Sequence, residues 1–252
     1  MKKELNSFHL KCICIGLMIV GIYLQQLIYT LNEETILAGE QLSAGLTLTY
    51  NMGYLIYLAA FPLAAFLLVE AAKKTSDRKK LLLRLFVTAL IVEVPMDMAT
   101  FGISEWKNWG LNQNYFFTLC IALGVLMAVD AIGKKLTVGS MGNTISTLGV
   151  YLLGAFLSIL LRTEQSSIGV LMVITLYLFY GNKMFSLVSV AALYLLFVRG
   201  TTGLEFVPAI SILLTWLYNG EQGKTGKVAR AVFYFAFPVA YCVLGILAKV
   251  LS

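Results

Sequence analysis

Charge is scarce in this 252-residue chain. Asp, Glu, Lys and Arg together make up 13% of it, 59% is hydrophobic, and the mean hydropathy is +0.83. Soluble domains carry about 25% charged residues, and so little charge cannot clothe a water-facing surface. A soluble enzyme is excluded, and so is disorder, whose marks are low hydrophobicity and high net charge. Cysteine is limited to Cys12, Cys14, Cys120 and Cys242, all in apolar runs, without a CxxC pair, and the only histidine is His9. That set offers no zinc or haem site: no metal is expected, the cysteines read as small buried hydrophobes, and His9 reads as an interfacial residue before the first apolar run. There are four prolines, no Pro-rich or Ser-rich linker and no evident internal repeat, so residues 1–252 are read as a single transmembrane domain. The basic, Gly-rich stretch NGEQGKTGKVAR at 219–230 lacks the GxxxxGK[ST] spacing of a phosphate-binding loop.

What the chain does have is long unbroken apolar runs. In lipid only helices and closed barrels satisfy the backbone. Barrel strands would alternate over about 10 residues, whereas these runs approach the 20 or so residues of a spanning helix. The fold class is therefore an all-α polytopic membrane protein. Nine spans are expected, near 10–31, 52–72, 81–100, 115–133, 144–162, 167–181, 184–199, 204–219 and 231–250, with eight or ten as alternatives because the three between 167 and 219 are short. With the N-terminus inside, 15 of the 19 Lys and Arg residues fall on inner segments, and the outer loops are acidic, the asymmetry that sets topology. The net charge of +6 thus sits in short loops that mark orientation and meet membrane lipid, and nucleic acid is not a partner. Lys2, Lys3 and Lys11 around the start of the first run, with no small-residue cleavage site, read as a retained anchor. The localisation is the cell membrane, multi-pass.

Ionisable groups within spans are functional candidates by default. In RLFVTALIVEVPMDMATFG, Glu93 and Asp97 are four apart and share a helix face. Pro95 between them removes a backbone donor. Such a pair suits general acid–base work; the competing reading is a structural cluster pairing with Asn114 or Thr118 of LNQNYFFTL, which also share a face. Glu70 ends the second span near Lys73, Lys74 and Arg84, where an inner-interface ion-pair cluster competes with a phosphate-binding loop in KKTSDRKK. Tyr57, Tyr151, Tyr177 and Tyr180 read as belt or packing residues.

The series FPLAAFLLVEAAKKTSDRKKLLLRL, IVEVPMDMATFG, LNQNYFFTL, IGVLMVITLY, LYNGEQG and RAVFYFAFP resembles, in order and over nearly the whole chain, the TraX family of the kind found in Gram-positive bacteria. The resemblance implies an acyltransferase-like bundle and, from the family's founding activity in conjugation, N-terminal acetylation of a pilin subunit. Acetyl-CoA or another acyl-CoA would be the donor, offered from the inner face. The acceptor would be an amine or hydroxyl on a membrane or surface polypeptide or glycan. Glu70, Arg84, Glu93, Pro95, Asp97, Asn114, Thr118, Asn219 and Tyr234 fit the family pattern. Glu93 and Asp97 would be catalytic, and Asn114, Thr118, Glu70, Arg84 and Tyr234 would bind substrate. The sequence departs from the pattern at Gly21 and Ile22, where the family has an Asp-His pair, at Val239 and Ala240 after Pro238, where it has a histidine, and at Glu164, where it prefers Asp. The alternative is a non-catalytic membrane binding or assembly component that keeps the fold. A transporter is disfavoured by the lack of an inverted repeat.

The charge asymmetry makes a topological prediction. Cysteines placed at 33–42 and 103–110 should react with an impermeant maleimide in intact cells, and cysteines at 75–78 should not; labelling at 75–78 would reverse the orientation.

Overall fold

The computed structural model describes residues 4–32, 35–36, 38–101, 110–197, 203–204, 206–223 and 226–251, the side chains of 227–232, 234, 248–249 and 251 excepted. Among the described residues nine helical segments of 11 residues or more lie near the nine expected apolar runs: α1 (Ser7–Leu31), α2 (Ala44–Lys74), α3 (Arg78–Phe101), α4 (Tyr115–Lys135), α5 (Met141–Leu160), α6 (Ser166–Leu178), α7 (Lys183–Phe197), a 3-10 helix (Val207–Leu217) and α8 (Lys227–Leu251). Among the described residues α1, α2, α4 and α5 are long and apolar enough to cross a membrane. α3 has the length, 24 residues, but carries Arg84, Glu93 and Asp97. At 13 and 15 residues, α6 and α7 reach only about 20–23 Å at 1.5 Å per residue, short of the ~30 Å hydrocarbon core. The eighth run forms 11 residues of 3-10 helix, about 22 Å at 2.0 Å per residue.

The second span departs most from expectation. α2 begins at Ala44, eight residues before the expected 52, because Ser43 caps it: its Oγ accepts from Leu46 N at 3.4 Å. Its 31 residues run about 46 Å. Lys73 and Lys74 close its last turn, where cations suit the helix dipole. α2 is the hub. It packs against α1, α4, α6 and the 3-10 helix, while α8 joins α1 to α3 and α7 joins α6 to the 3-10 helix. In its most apolar window 67% of α2 is buried, against 11% for α5, which lies outside this ring on α4 and α6.

Close approach and freed backbone groups explain why these helices pack as they do. α1 crosses α2 at Gly21 and Gly53, where a Cβ on Gly21 would lie 2.6 Å from the backbone N of Tyr57. Beside that crossing, Cys14 Sγ donates to Ala60 O at 3.4 Å. Pro62, inside α2, has no N–H for the carbonyl of Leu58. The fully buried Tyr194 of α7 supplies the donor instead, its hydroxyl 2.7 Å from Leu58 O. Tyr23 of α1 likewise donates to Ala240 O of α8 at 3.0 Å. His9 has a local role, capping α1 reciprocally with Asn6.

The helix crossing can be tested with Gly21→Ala. Despite its better helix propensity, it should destabilise the detergent-solubilised protein by about 1–3 kcal/mol through overpacking. Gly16→Ala, with nothing within 4 Å of its Cβ, should be neutral or slightly stabilising. Thermal unfolding of both variants checks this, and an unchanged Gly21→Ala would refute the close approach.

Candidate functional site

Two polar clusters sit at opposite ends of α2. At the end away from Lys73 and Lys74, two acids meet the start of α4, whose first N–H groups have no partner within the helix, and a third holds the turn that precedes it. Glu93 Oε2, from α3, accepts from Asn114 N at 3.0 Å and Asn114 Nδ2 at 2.6 Å. Asp97 Oδ2 accepts from Gly110 N at 3.0 Å. Gly110 has φ +76°, a conformation glycine adopts without strain. Glu164, from the segment between α5 and α6, accepts Tyr115 N on Oε2 at 3.1 Å. Asn114 caps the helix, its Oδ1 taking Phe116 N at 3.0 Å and its Nδ2 also reaching Ala89 O at 2.8 Å. Negative groups are favoured there by the helix dipole as well. The 162–166 segment is pinned by Gln113 N to Arg162 O (3.1 Å) and Glu164 N to Gln113 O (2.8 Å). Arg162 and Ser166, flanking Glu164, are the two non-glycine residues with positive φ among those described, +51° and +45°; such strain gathers at functional sites.

The pairing of Glu93 with Asn114 foreseen from sequence is therefore present, in its structural form. Glu93 Oε1, Asp97 Oδ1 and Thr118 Oγ1 are buried with no partner among the described residues. Thr118 turns its methyl to α6, so closely that a Cβ on Gly169 would lie 2.6 Å from it. None of these four residues lines the cavity beside them, whose volume is about 940 Å³. Its walls are Gln25, Gln26 and Tyr29 of α1, Tyr50, Tyr54 and Tyr57 of α2, Met96 and Thr100 of α3, and Tyr241 of α8, closed by Asn112 and the 162–166 segment. Glu164 is the acid in that wall, and Tyr241 lies within electrostatic reach of Glu164 and Glu93. Burial pushes the Glu164 carboxyl up to about 7, the bond from Tyr115 N opposing the rise. Ile22 also lines the cavity, while its neighbour Gly21 has no room for a side chain.

At the basic end Glu70 is 4% exposed. It accepts Tyr218 OH at 2.9 Å and Tyr180 OH at 2.5 Å and pairs with Lys74 at 2.5 Å. Lys74 also donates to Gly220 O. Burial, then the Glu70 carboxylate, pushes the Tyr180 phenol up to about 12, so it stays a donor at neutral pH. A second cavity of about 400 Å³ opens here, with Phe66 at its floor and Lys183, Thr215 and Asn219 in its wall. Lys73 lies over the rings of Tyr177 and Tyr180, 4.0 and 4.7 Å from their centroids. Arg78 pairs with Asp130, which accepts Tyr177 OH at 3.0 Å. Tyr177 and Tyr180, read from the sequence as belt or packing residues, also donate hydrogen bonds to acids. Arg84 is exposed and lines neither cavity. The side chain of Tyr234 lies outside the described residues.

Sequence reasoning missed Tyr218, Asp130 and Tyr241 because each lies far along the chain from its partner. Glu164 stood out only as a departure from the family pattern. Among the described residues no group of three His, Cys, Asp or Glu is arranged to hold a metal ion.

Residues 9–248 match the family model described as TraX protein. Neither a curated protein nor a solved structure is found to match the chain.

Glu70 should be the most damaging single truncation at the basic end. Glu70→Ala removes the shared acceptor of two phenols and the partner of Lys74; because Tyr180 and Lys74 are more than a third exposed and water can reach them, it should cost about 1–3 kcal/mol, whereas Glu70→Gln should cost less and Arg84→Ala almost nothing. Thermal unfolding of the three variants reads the ranking.

Proposed function

This chain belongs to the TraX protein family, and from that premise we propose that it is a multi-pass cell-membrane acyltransferase, moving an acetyl or longer acyl group from acyl-CoA to an amine or hydroxyl held in the larger cavity. The carrying observation is the place of Glu164: an acid in the wall of a cavity of about 940 Å³, on a strained segment pinned to the α4 N-terminus. Ligand sites are typically about 300–1,000 Å³, with few polar groups placed for orientation. A general base works best with a pKa near the operating pH, and burial places the Glu164 carboxyl there.

In this reading the acid–base role moves from Glu93 and Asp97 to Glu164. Glu93 and Asn114 become positioning residues, because their hydrogen bonds hold the α4 N-terminus that in turn holds Glu164, and Asp97 holds the Gly110 turn before it. The acyl-CoA approaches from the basic end, taken as cytoplasmic, where Lys79 and Lys80 are exposed and where the smaller cavity offers Lys74, Lys183 and Asn219, donors that suit phosphate and amide groups. Leu58 and Phe66 of α2, which line the larger and the smaller cavity, are about 12 Å apart by helical rise. That is the distance a thioester arm has to cover. The acceptor N–H or O–H gives its proton to the Glu164 carboxylate, its heteroatom attacks the thioester carbonyl, the C–S bond breaks, and the proton passes to the departing thiolate.

A second reading has its own support. Glu93 and Asp97 are both committed to backbone N–H groups, and Gly21 leaves no space for a side chain where the family resemblance would put an Asp. A non-catalytic binding or assembly component would look like this.

Radiolabelled acetyl-CoA with the purified protein separates the two. Transfer should rise with pH and level off above about 7, because the base acts only when deprotonated. Glu164→Gln should lower the rate by about 10²–10⁴-fold and remove that inflection. A folded protein that neither transfers nor hydrolyses the acyl group would favour the non-catalytic component.

A further inference from the structure

We propose that the larger cavity binds an uncharged saccharide, so that the acceptor is a sugar hydroxyl of a surface glycan and not the amine of a peptide; as an acceptor assignment this rests on the acyl-transfer reading, while saccharide binding stands on the cavity alone. Three observations carry it. The first is charge. Among the described residues that line the cavity, Arg162 and Glu164 are the charged ones, so the wall is close to neutral. A peptide amine is a cation and calls for surplus negative charge, and a phosphate calls for surplus positive charge. A polyol calls for neither.

The second is the supply of uncommitted amides. Gln26, Asn112 and Gln165 line the cavity, and Gln165 stands at the α6 N-cap without a capping bond from its side chain. An amide presents two donors and an acceptor with two lone pairs, which match hydroxyls that both donate and accept. The third is the ring content. Tyr29, Tyr50, Tyr54, Tyr57 and Tyr241 contribute five phenols to one cavity. Tyr29 and Tyr50 are 37% and 38% exposed, giving apolar platforms at the cavity for the C–H face of a pyranose. Rigid amphipathic rings beside adaptable amides are a combination suited to recognising a molecule with one apolar and many polar edges. With about 940 Å³, the cavity is at the large end of ligand sites and takes more than one ring.

In the transfer step a sugar O–H replaces the generic acceptor. Its proton goes to the Glu164 carboxylate, a C–O bond forms to the acyl carbon, the thioester C–S bond breaks, and the thiolate leaves with the proton.

The test is binding in nanodiscs, without donor, by saturation-transfer difference NMR. The probes are N-acetylglucosamine, chitotriose and a free-amine tripeptide. The saccharides should show transfer from tyrosine-saturated protein, and the tripeptide should not. Tyr50→Ala should weaken chitotriose binding by up to about tenfold, and Tyr50→Phe, which keeps the ring, should not; Tyr50 is exposed enough for the fold to persist in both variants, which thermal unfolding checks. The same samples then receive labelled acetyl-CoA. Saccharide binding without acetyl transfer upholds the saccharide site and removes the acyl-transfer reading. Acetyl transfer to the tripeptide without saccharide binding does the reverse. Binding of none of the three probes, or equal binding of tripeptide and saccharide, overturns the proposal.

Discussion

A backbone group that water cannot reach must find its partner inside the protein, and most of the polar architecture of this chain follows from that constraint. Pro62 strands the Leu58 carbonyl in the hub helix, and Tyr194 comes from the far side of the bundle to donate to it. The first amides of α4 open inside the bundle, and Asn114, Glu93 and Glu164 take them from three directions. Each such bond is worth about 1 kcal/mol net, but leaving the group unmade costs the full desolvation of that group. Polar side chains in an otherwise apolar protein are therefore placed first by the backbone they serve.

The same constraint joins structure to chemistry at one point. Glu93 and Asp97 are absorbed by a helix-end amide and a glycine turn, and they line neither of the two cavities. Glu164 serves an amide with one oxygen and stands in a cavity wall. It does so because the 162–166 segment is tied to residue 113 by a pair of backbone bonds and carries two left-handed residues. A packing requirement thus presents one acid to the cavity and withdraws two others.

α2 connects the two ends. Its outer turns give three tyrosines to the larger cavity, and its last turns give Glu70 and Lys74 to the smaller one. Between them lie the fully enclosed Ala60, Leu63 and Ala65. Tight contact with α1 at Gly21 and Gly53 fixes the register in which its tyrosines meet Gln25 and Gln26.

Composition and hydropathy alone determined the helical membrane class, the position of all nine helical segments and the basic character of one end, because burial in lipid imposes a minimum length and excludes charge residue by residue. They also determined that Glu93, Asp97 and Asn114 belong together, since four-residue spacing puts side chains on one helix face. Tertiary structure alone decided what those residues do. Whether Glu93 meets an amide or a cavity depends on where α4 begins, and Glu164 and Tyr241 reach the same neighbourhood from distant stretches of chain that no local period connects. The short runs after residue 166 show the same division. Their apolarity made them helical, but only enclosure by α2, α4 and α7 made α6 a buried core helix, and only the phenols of Tyr180 and Tyr218 closing on Glu70 made the basic end a site.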